Sequence, residues 1–233
     1  LHYPFLNIIG LMTGTSMDGI DISLVKTNGI DLKRLNKNFY YRYSSETKTI
    51  LNDILKKNIK ISLKQKNFLD EFITKEHYLA LKDLDIVNKC DLIGFHGQTI
   101  FHDPDNKVSI QIGNPKILAK KLKKNVVFDF RSNDLNSGGQ GAPLAPIYHK
   151  FMIETFDMGL PTCILNIGGV SNLTYWDGVH LLGFDTGPGN ALMNDYASRI
   201  FKKNFDNNGN YASKGTPILK EVKKFLQDDF FKK

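Results

Sequence analysis

Two stretches of this chain follow one design. Residues 10–21 read GLMTGTSMDGID, and residues 166–174 read NIGGVSNLT. Each sets glycines and small hydroxyl residues between apolar runs. Short apolar runs bounded by glycine are strand signals, so each stretch predicts a strand, a close turn and a returning strand. A chain that repeats such a hairpin far along its length is constrained to repeat the unit around it. An α/β fold of two successive units follows, the first over 1–150 and the second over 151–233.

The remaining pattern fits that division. In the first unit, Phe5–Met12 and Ile20–Val25 read as strands, and Leu35–Tyr43 as a third. Residues 45–57 and 65–87 carry apolar residues at helical spacing. Asp91–Phe95 and Val108–Ile112 are strand candidates. Pro115 opens a helix, because proline suits a first helical turn. Val126–Phe130 is a strand, Arg131–Pro143 a long polar loop, and 144–157 a helix. The second unit restarts with strands at Thr162–Ile167, Leu173–Trp176 and His180–Phe184. Asp185–Gly189 reads as a turn, Asn190 opens a helix to about Phe201, and Pro217–Phe225 is the last helix.

Composition narrows the function classes. Of 233 residues, 41% are hydrophobic and 24% charged, with a net charge of +7, values of a folded globular chain. The lysines fall in scattered pairs such as Lys120-Lys121 and Lys223-Lys224, with no arginine-rich stripe. They read as solvated helix faces rather than a nucleic-acid surface. No apolar run approaches the roughly 20 residues of a membrane helix, and no signal peptide is evident. Cys90 and Cys163 lie far apart, each beside or within an apolar run, so two buried free thiols in a reducing cytoplasm are expected. His102 and His149 lack metal-ligand spacing. The chain opens on Leu1 rather than Met, as a chain that is not a complete natural product would.

The turns carry the chemistry. Gly14 lets backbone approach a ligand closely, and successive N–H groups in such a turn make an anion site. Thr13, Thr15 and Ser16 add hydroxyl donors, and Asp18 could hold a metal or a hydroxyl. The plain alternative is an ordinary polar hairpin. In the second unit, Gly168 and Gly169 repeat the arrangement, and FDTGPGN sets Asp185 at a strand end. No P-loop, dinucleotide fingerprint or protein-kinase signature is present. His96 and Gln98 follow a strand in a loop that faces a ligand. Arg131 can fork onto a carboxylate or phosphate, and Asp134 can accept from sugar hydroxyls. An Arg131–Asp134 bridge within the loop is the plain alternative for that pair.

Taken in order, GLMTGTSMDGID, GFHGQTIFH, QIGNP, DFRSNDLNSGGQGAPLAP, LNIGGVSNLTY and GFDTGPGN resemble the anhydro-N-acetylmuramic acid kinases. These are bacterial members of the sugar kinase, heat-shock ATPase and actin superfamily. The resemblance implies a two-lobed actin-like (ribonuclease H-like) ATPase fold whose second lobe is incomplete here, since family members continue into an adenosine-binding half. It implies a cytoplasmic enzyme using ATP and Mg²⁺ to convert 1,6-anhydro-N-acetylmuramic acid and water to N-acetylmuramic acid 6-phosphate in cell-wall recycling. A homodimer is implied as well, with no nucleic-acid or membrane partner. A shortened, non-catalytic sugar-binding or interaction module of the same family is the alternative.

Residue by residue, the resemblance makes Asp185 the base for the attacking water. Gly14, Thr15, Ser16, Met17, Asp18, Gly19 and Asp21 form the first phosphate hairpin, and Gly168 and Gly169 the second. His96, Gln98, Arg131 and Asp134 line the sugar pocket, with Arg131 a candidate partner for the lactyl carboxylate. Met12 stands where many superfamily members carry an aspartate, which leaves metal binding to Asp18 or Asp185.

Overall fold

Period-two burial builds the first sheet. The computed structural model describes residues 3–14, 16–56 and 62–232. Strand β1 (Leu6–Met12) buries Ile9 and Leu11 and turns Gly10 and Met12 outward. Strand β2 (Gly19–Thr27) buries Ile20, Ile22 and Leu24 on the same face. Strand β3 (Leu32–Arg42) follows, then helices α1 (Ser45–Lys56), α2 (Leu63–Leu81) and the single turn α3 (Ile86–Lys89). Strands β4 (Leu92–Phe95), β5 (Gln98–Asp103) and β6 (Val108–Ile112) come next. Helix α4 (Pro115–Leu122), strand β7 (Asn125–Phe128) and short helix α5 (Ser132–Asn136) complete the first unit, which ends at Ala142.

The five-stranded sheet has the order β3-β2-β1-β4-β7, antiparallel across β3, β2 and β1 and parallel from β1 through β4 to β7. Strands β5 and β6 form a separate antiparallel pair. The buried strand face meets Leu51 of α1, Leu69, Ile73 and Leu81 of α2, and Leu118 of α4 in one core. Helix α2 starts on a capping box in which Ser62 and Gln65 exchange side-chain and backbone bonds, a pairing that satisfies orphan N–H groups. Its inward face also carries Asp70, Thr74, Glu76 and His77.

The second unit begins at Pro143. Helix α6 (Ala145–Thr155) precedes the antiparallel sheet of β8 (Thr162–Ile167), β9 (Val170–Trp176) and β10 (Leu181–Pro188), in the order β10-β9-β8. Helix α6 covers one face. A Cβ on Gly183 would strike Pro146, His149 Nδ1 lies 2.7 Å from the Thr174 hydroxyl, and the Lys150 ammonium sits over the Trp176 ring. The opposite face exposes Leu165, Ile167, Leu182 and Phe184. Helix α7 (Ala191–Tyr196) runs into a π-helical turn at Ala197–Phe201, and α8 (Leu219–Phe225) lies near the end.

The α/β expectation holds, with differences at several elements. The helix expected over 65–87 stops at Leu81, and a separate turn forms at Ile86–Lys89. Strand β5, and α5 within the expected loop, were not legible as elements. Strand β10 runs on through Asp185 to Pro188, with a bulge between Asp185 and Gly187, so Asp185 lies in a strand and not at its end. Cys90 is buried as expected, but Cys163 is exposed. It shares a row with Tyr175 and Leu182, on the sheet face that α6 leaves open.

Candidate functional site

The first hairpin connects β1 to β2 within hydrogen-bonding reach of the segment that follows β4. The Gly14 carbonyl accepts from the Met17 amide and from Gln98 Nε2, each at 3.2 Å. Met17 adopts a φ of 51° and sends its side chain into the core, so this residue offers a ligand only its backbone. A positive φ at a non-glycine residue is costly and clusters at functional turns. Thr15 lies outside the described residues.

Glycine serves two purposes in this hairpin. At Gly19 a Cβ would collide with the Tyr41 carbonyl and the Tyr40 ring, so the fold itself demands glycine. At Gly14 the nearest atom to a Cβ is Ser16 Oγ, at 3.5 Å, an ordinary contact. Packing therefore does not require glycine at Gly14.

Asp18 supplies the negative charge of the turn. Its Oδ1 accepts from Ser16 Oγ at 2.6 Å, and the Tyr40 phenol also donates to it. Burial pushes its carboxyl up, but these bonds and the Lys48 ammonium outweigh that, and it ionises below the ordinary range. Asp21, on β2, is shifted the other way, by burial and then by the charge of Asp18. An ionised oxygen donor of this kind suits a hard cation that keeps much of its water. Among the described residues no cluster of three or more His, Cys, Asp or Glu forms a metal cage.

A cavity of about 480 Å³ opens beside His96. The Gln111–Lys116 stretch, Asp129 and Ser132, and Lys66 and Asp70 of α2 line it with Phe95, Gly97 and Phe128. Such a mixture of polar groups and aromatic faces suits a small polar ligand. Its rim is held by α2: Asp70 Oδ1 accepts from the Gly113 amide at 2.9 Å, and Thr74 Oγ1 accepts from the Asn114 amide at 2.7 Å. Asn114 then caps α4 by accepting from the Lys116 and Ile117 amides.

The four expected sugar residues divide. His96 lines the cavity, whereas Gln98, Arg131 and Asp134 do not. Arg131 donates from Nε at 3.0 Å to His96 Nε2, with its Nη2 2.8 Å from the same nitrogen. Nε2 is therefore an acceptor, and Nδ1 carries the proton it donates to the Gly97 carbonyl at 2.7 Å. Burial and then the Arg131 charge push the His96 pKa down to about 4, so the ring is neutral. Arg131 and Asp134 do not meet in a loop bridge. Arg131 Nη1 donates to the Gly141 carbonyl and Asp134 Oδ2 accepts from the Gly141 amide, both at 2.6 Å. The pair clamps one residue and shapes the loop.

In the second unit the Gly168-Gly169 turn is closed by backbone. The Gly189 and Ala191 amides donate to the Gly169 carbonyl, and the Asn190 amide to that of Gly168. A Cβ on Gly189 would collide with the Gly168 carbonyl. Asp185 shares a cross-strand row with Asn172 and Asn166. Its side chain is exposed.

Sequence reasoning did not single out Asp70, Thr74, Gln111, Asp129 or Ser132. Asp70 and Thr74 were detectable as polar residues at i, i+4 on an otherwise apolar helix face. Gln111, Asp129 and Ser132 lie within the QIGNP and DFRSND motifs, but nothing local shows that they face one cavity.

The fold and these sites define an α/β chain with two glycine hairpins, one of them carrying a carboxylate that ionises below the ordinary range. The chain belongs to the anhydro-N-acetylmuramic acid kinase family, whose model matches residues 6–233. It is 38% identical to the anhydro-N-acetylmuramic acid kinase of Rhodopseudomonas palustris, over 98% of this chain and 65% of that protein. It is 40% identical to the enzyme of the same name from Pelagibacter ubique, over 91% of this chain and 59% of that one. The chain thus spans about two thirds or less of these relatives' length. Among solved structures, an exopolyphosphatase-like protein aligns with a TM-score of 0.44 and 10% identity, over 82% of this chain and 53% of that one. Among the described residues no helix is long and apolar enough to cross a membrane.

Proposed function

We propose that this chain carries the phosphate- and sugar-binding machinery of an ATP-dependent kinase acting on 1,6-anhydro-N-acetylmuramic acid. The two units correspond to the first lobe and the beginning of the second. The supporting observation is Gly14, a glycine that packing does not require, beside the ionised Asp18. Phosphate oxygens lie against the turn's N–H groups, which stabilise charge developing during transfer. Asp18 would hold Mg²⁺, which would supply positive charge to the phosphate oxygens.

The reaction joins two events. Water adds to the anomeric carbon and the bond from that carbon to the bridging O6 breaks. O6 takes the γ-phosphoryl group and ADP leaves. Asp185 accepts the water's proton, a role worth roughly 10²–10⁴-fold. The cavity beside His96 receives the sugar. The His96 nitrogens are both engaged, so the ring meets the sugar with its edge and face, while Gln111, Asp129 and Ser132 supply hydrogen bonds. Arg131 and Asp134 support the pocket wall, and the Gly168-Gly169 turn supports the start of α7. Cell-wall recycling in the cytoplasm, as a homodimer, is the setting that likeness to the family supports.

The test is ADP release by the 233-residue chain with Mg²⁺, ATP and 1,6-anhydro-N-acetylmuramic acid, beside Asp185→Asn. Sugar-dependent release that drops at least about a hundredfold in the variant is expected. Release that ignores the sugar, or that survives the substitution, overturns the assignment of Asp185. No release from the folded chain favours the non-catalytic alternative.

A further inference from the structure

The hairpin and the cavity share a peptide group. The Gly97 carbonyl accepts from His96 Nδ1 at 2.7 Å and from the Thr13 hydroxyl at 2.6 Å. His96 lines the cavity, and Thr13 immediately precedes Gly14. The next residue, Gln98, is fully buried and donates from Nε2 to the Gly14 carbonyl at 3.2 Å. Gly97 cannot drift from this position easily. Its φ is +71°, and a Cβ there would stand 2.7 Å from the Ile112 carbonyl on β6. The segment His96–Gln98 is therefore wedged between the cavity wall and the hairpin.

Gln98 is an uneconomical residue for packing alone. Its Oε1 is buried with no hydrogen-bond partner, and a buried acceptor left unpaired costs stability. A leucine would fill similar space without that cost. What Gln98 supplies is a donor, its Nε2 reaching the Thr99 carbonyl at 3.3 Å and, across to the hairpin, the Gly14 carbonyl that also receives the Met17 amide.

We propose that Gln98 is a positioning residue that couples the cavity to the hairpin, so that a sugar in one and phosphate at the other bind cooperatively. The proposal rests on the functional reading above. A sugar packed against the His96 ring fixes the Gly97 peptide. That peptide fixes Thr13, and Gln98 fixes Gly14, which orders the turn before phosphate arrives. Linkage makes the effect reciprocal: each ligand tightens the other by the same factor.

Two measurements on the 233-residue chain test this. In calorimetric titrations, 1,6-anhydro-N-acetylmuramic acid and a non-hydrolysable ATP analogue are each bound with and without the other. The unsubstituted chain is expected to show one coupling factor, about 5- to 150-fold, in both orders, and Gln98→Leu to lower it several-fold, the Thr13 link remaining, with sugar affinity alone nearly unchanged. Hydrogen exchange without ligand provides the second readout. The Met17 amide is expected to exchange at least about tenfold faster in Gln98→Leu, and faster still in Gln98→Glu, while the core Ile22 amide stays protected. An unchanged coupling factor in the variant, or unchanged Met17 exchange, overturns the proposal. If the unsubstituted chain binds neither ligand, the kinase assignment fails, and Met17 exchange alone decides whether Gln98 holds the hairpin.

Discussion

The two glycine hairpins share a sequence grammar and differ in what holds them. The first is held by backbone and side chains together: the Met17 amide and Gln98 reach the Gly14 carbonyl, the Tyr43 amide reaches the Asp18 carbonyl, and Ser16 and Tyr40 steady the Asp18 carboxylate. A Cβ at Gly14 would meet only ordinary contacts. The second is held by backbone, with the amides of residues 189–191 capping the carbonyls of Gly168 and Gly169. The glycine that admits main chain there is Gly189, whose Cβ would collide with the Gly168 carbonyl, while Gly168 itself has only an ordinary contact. Glycine content thus marks a turn that something approaches closely, and the surroundings decide whether that something is a ligand or the protein.

The sharpest way to break this comparison is Gly189→Ala. The new methyl meets the Gly168 carbonyl, which is backbone and cannot rotate away. A loss of about 3 kcal/mol is expected. Trp176, the only tryptophan and a residue of the second unit, reports it through fluorescence in urea. An unaltered midpoint would mean that the second hairpin is as open as the first.

Acid is the next test. Burial and the Arg131 charge hold His96, and burial holds His77, at a pKa of about 4, against about 6.5 in an unfolded chain. Between those values the unfolded chain binds protons that the folded one does not, so stability falls as pH drops from about 6.5 towards 4. Above pH 7 this contribution is fully present and flat. The slope in the first unit should approach two protons, about one for each histidine. Hydrogen exchange of its core amides at pH 7.5 and 5 reads it. His77→Leu, which also removes an unpartnered buried Nε2, should leave about half the slope. His149, in the second unit, is shifted downward too, by burial, so some acid sensitivity belongs there as well.

The smallest expected effect is the most informative about the first hairpin. Gly14→Ala should change unfolding stability by less than about 0.5 kcal/mol, because its methyl meets only an ordinary contact. Binding of the ATP analogue should nevertheless weaken about tenfold, since the methyl occupies ligand space. Equal affinity in the variant would return this turn to an ordinary hairpin.

How much of this was legible in the sequence follows from how local each feature is. Strands β1, β2, β4, β6, β8 and β9 announce themselves because apolar residues and flanking glycines sit next to one another. Strand β5 does not: it starts beside Gly97 and mixes Gln98, Thr99 and His102 with two apolar residues. Helix α5 hides because Leu135 is its one buried residue. The run of β10 through Asp185 depends on pairing with β9, which no local pattern records. Cys163 sits in an apolar run, yet its exposure depends on which sheet face α6 covers. At the candidate site, motif spacing picked out the residues that form the cluster. It could not tell a side chain that faces the cavity, such as His96, from one that supports it, such as Arg131 or Gln98. That distinction lies in three-dimensional hydrogen bonding: Arg131 and Asp134 reach opposite ends of Gly141, ten and seven residues away in sequence.

Cys163 has a practical consequence. Its thiol stands in a row with Tyr175 and Leu182, on the sheet face that α6 leaves open. Cys90 is buried with its thiol donating to the Val87 carbonyl. The folded chain therefore offers a reagent such as a maleimide one accessible thiol, already sited on the apolar side of the second sheet. A fluorophore attached there becomes a built-in gauge of whatever comes to cover that surface, with no cysteine to engineer and none to remove.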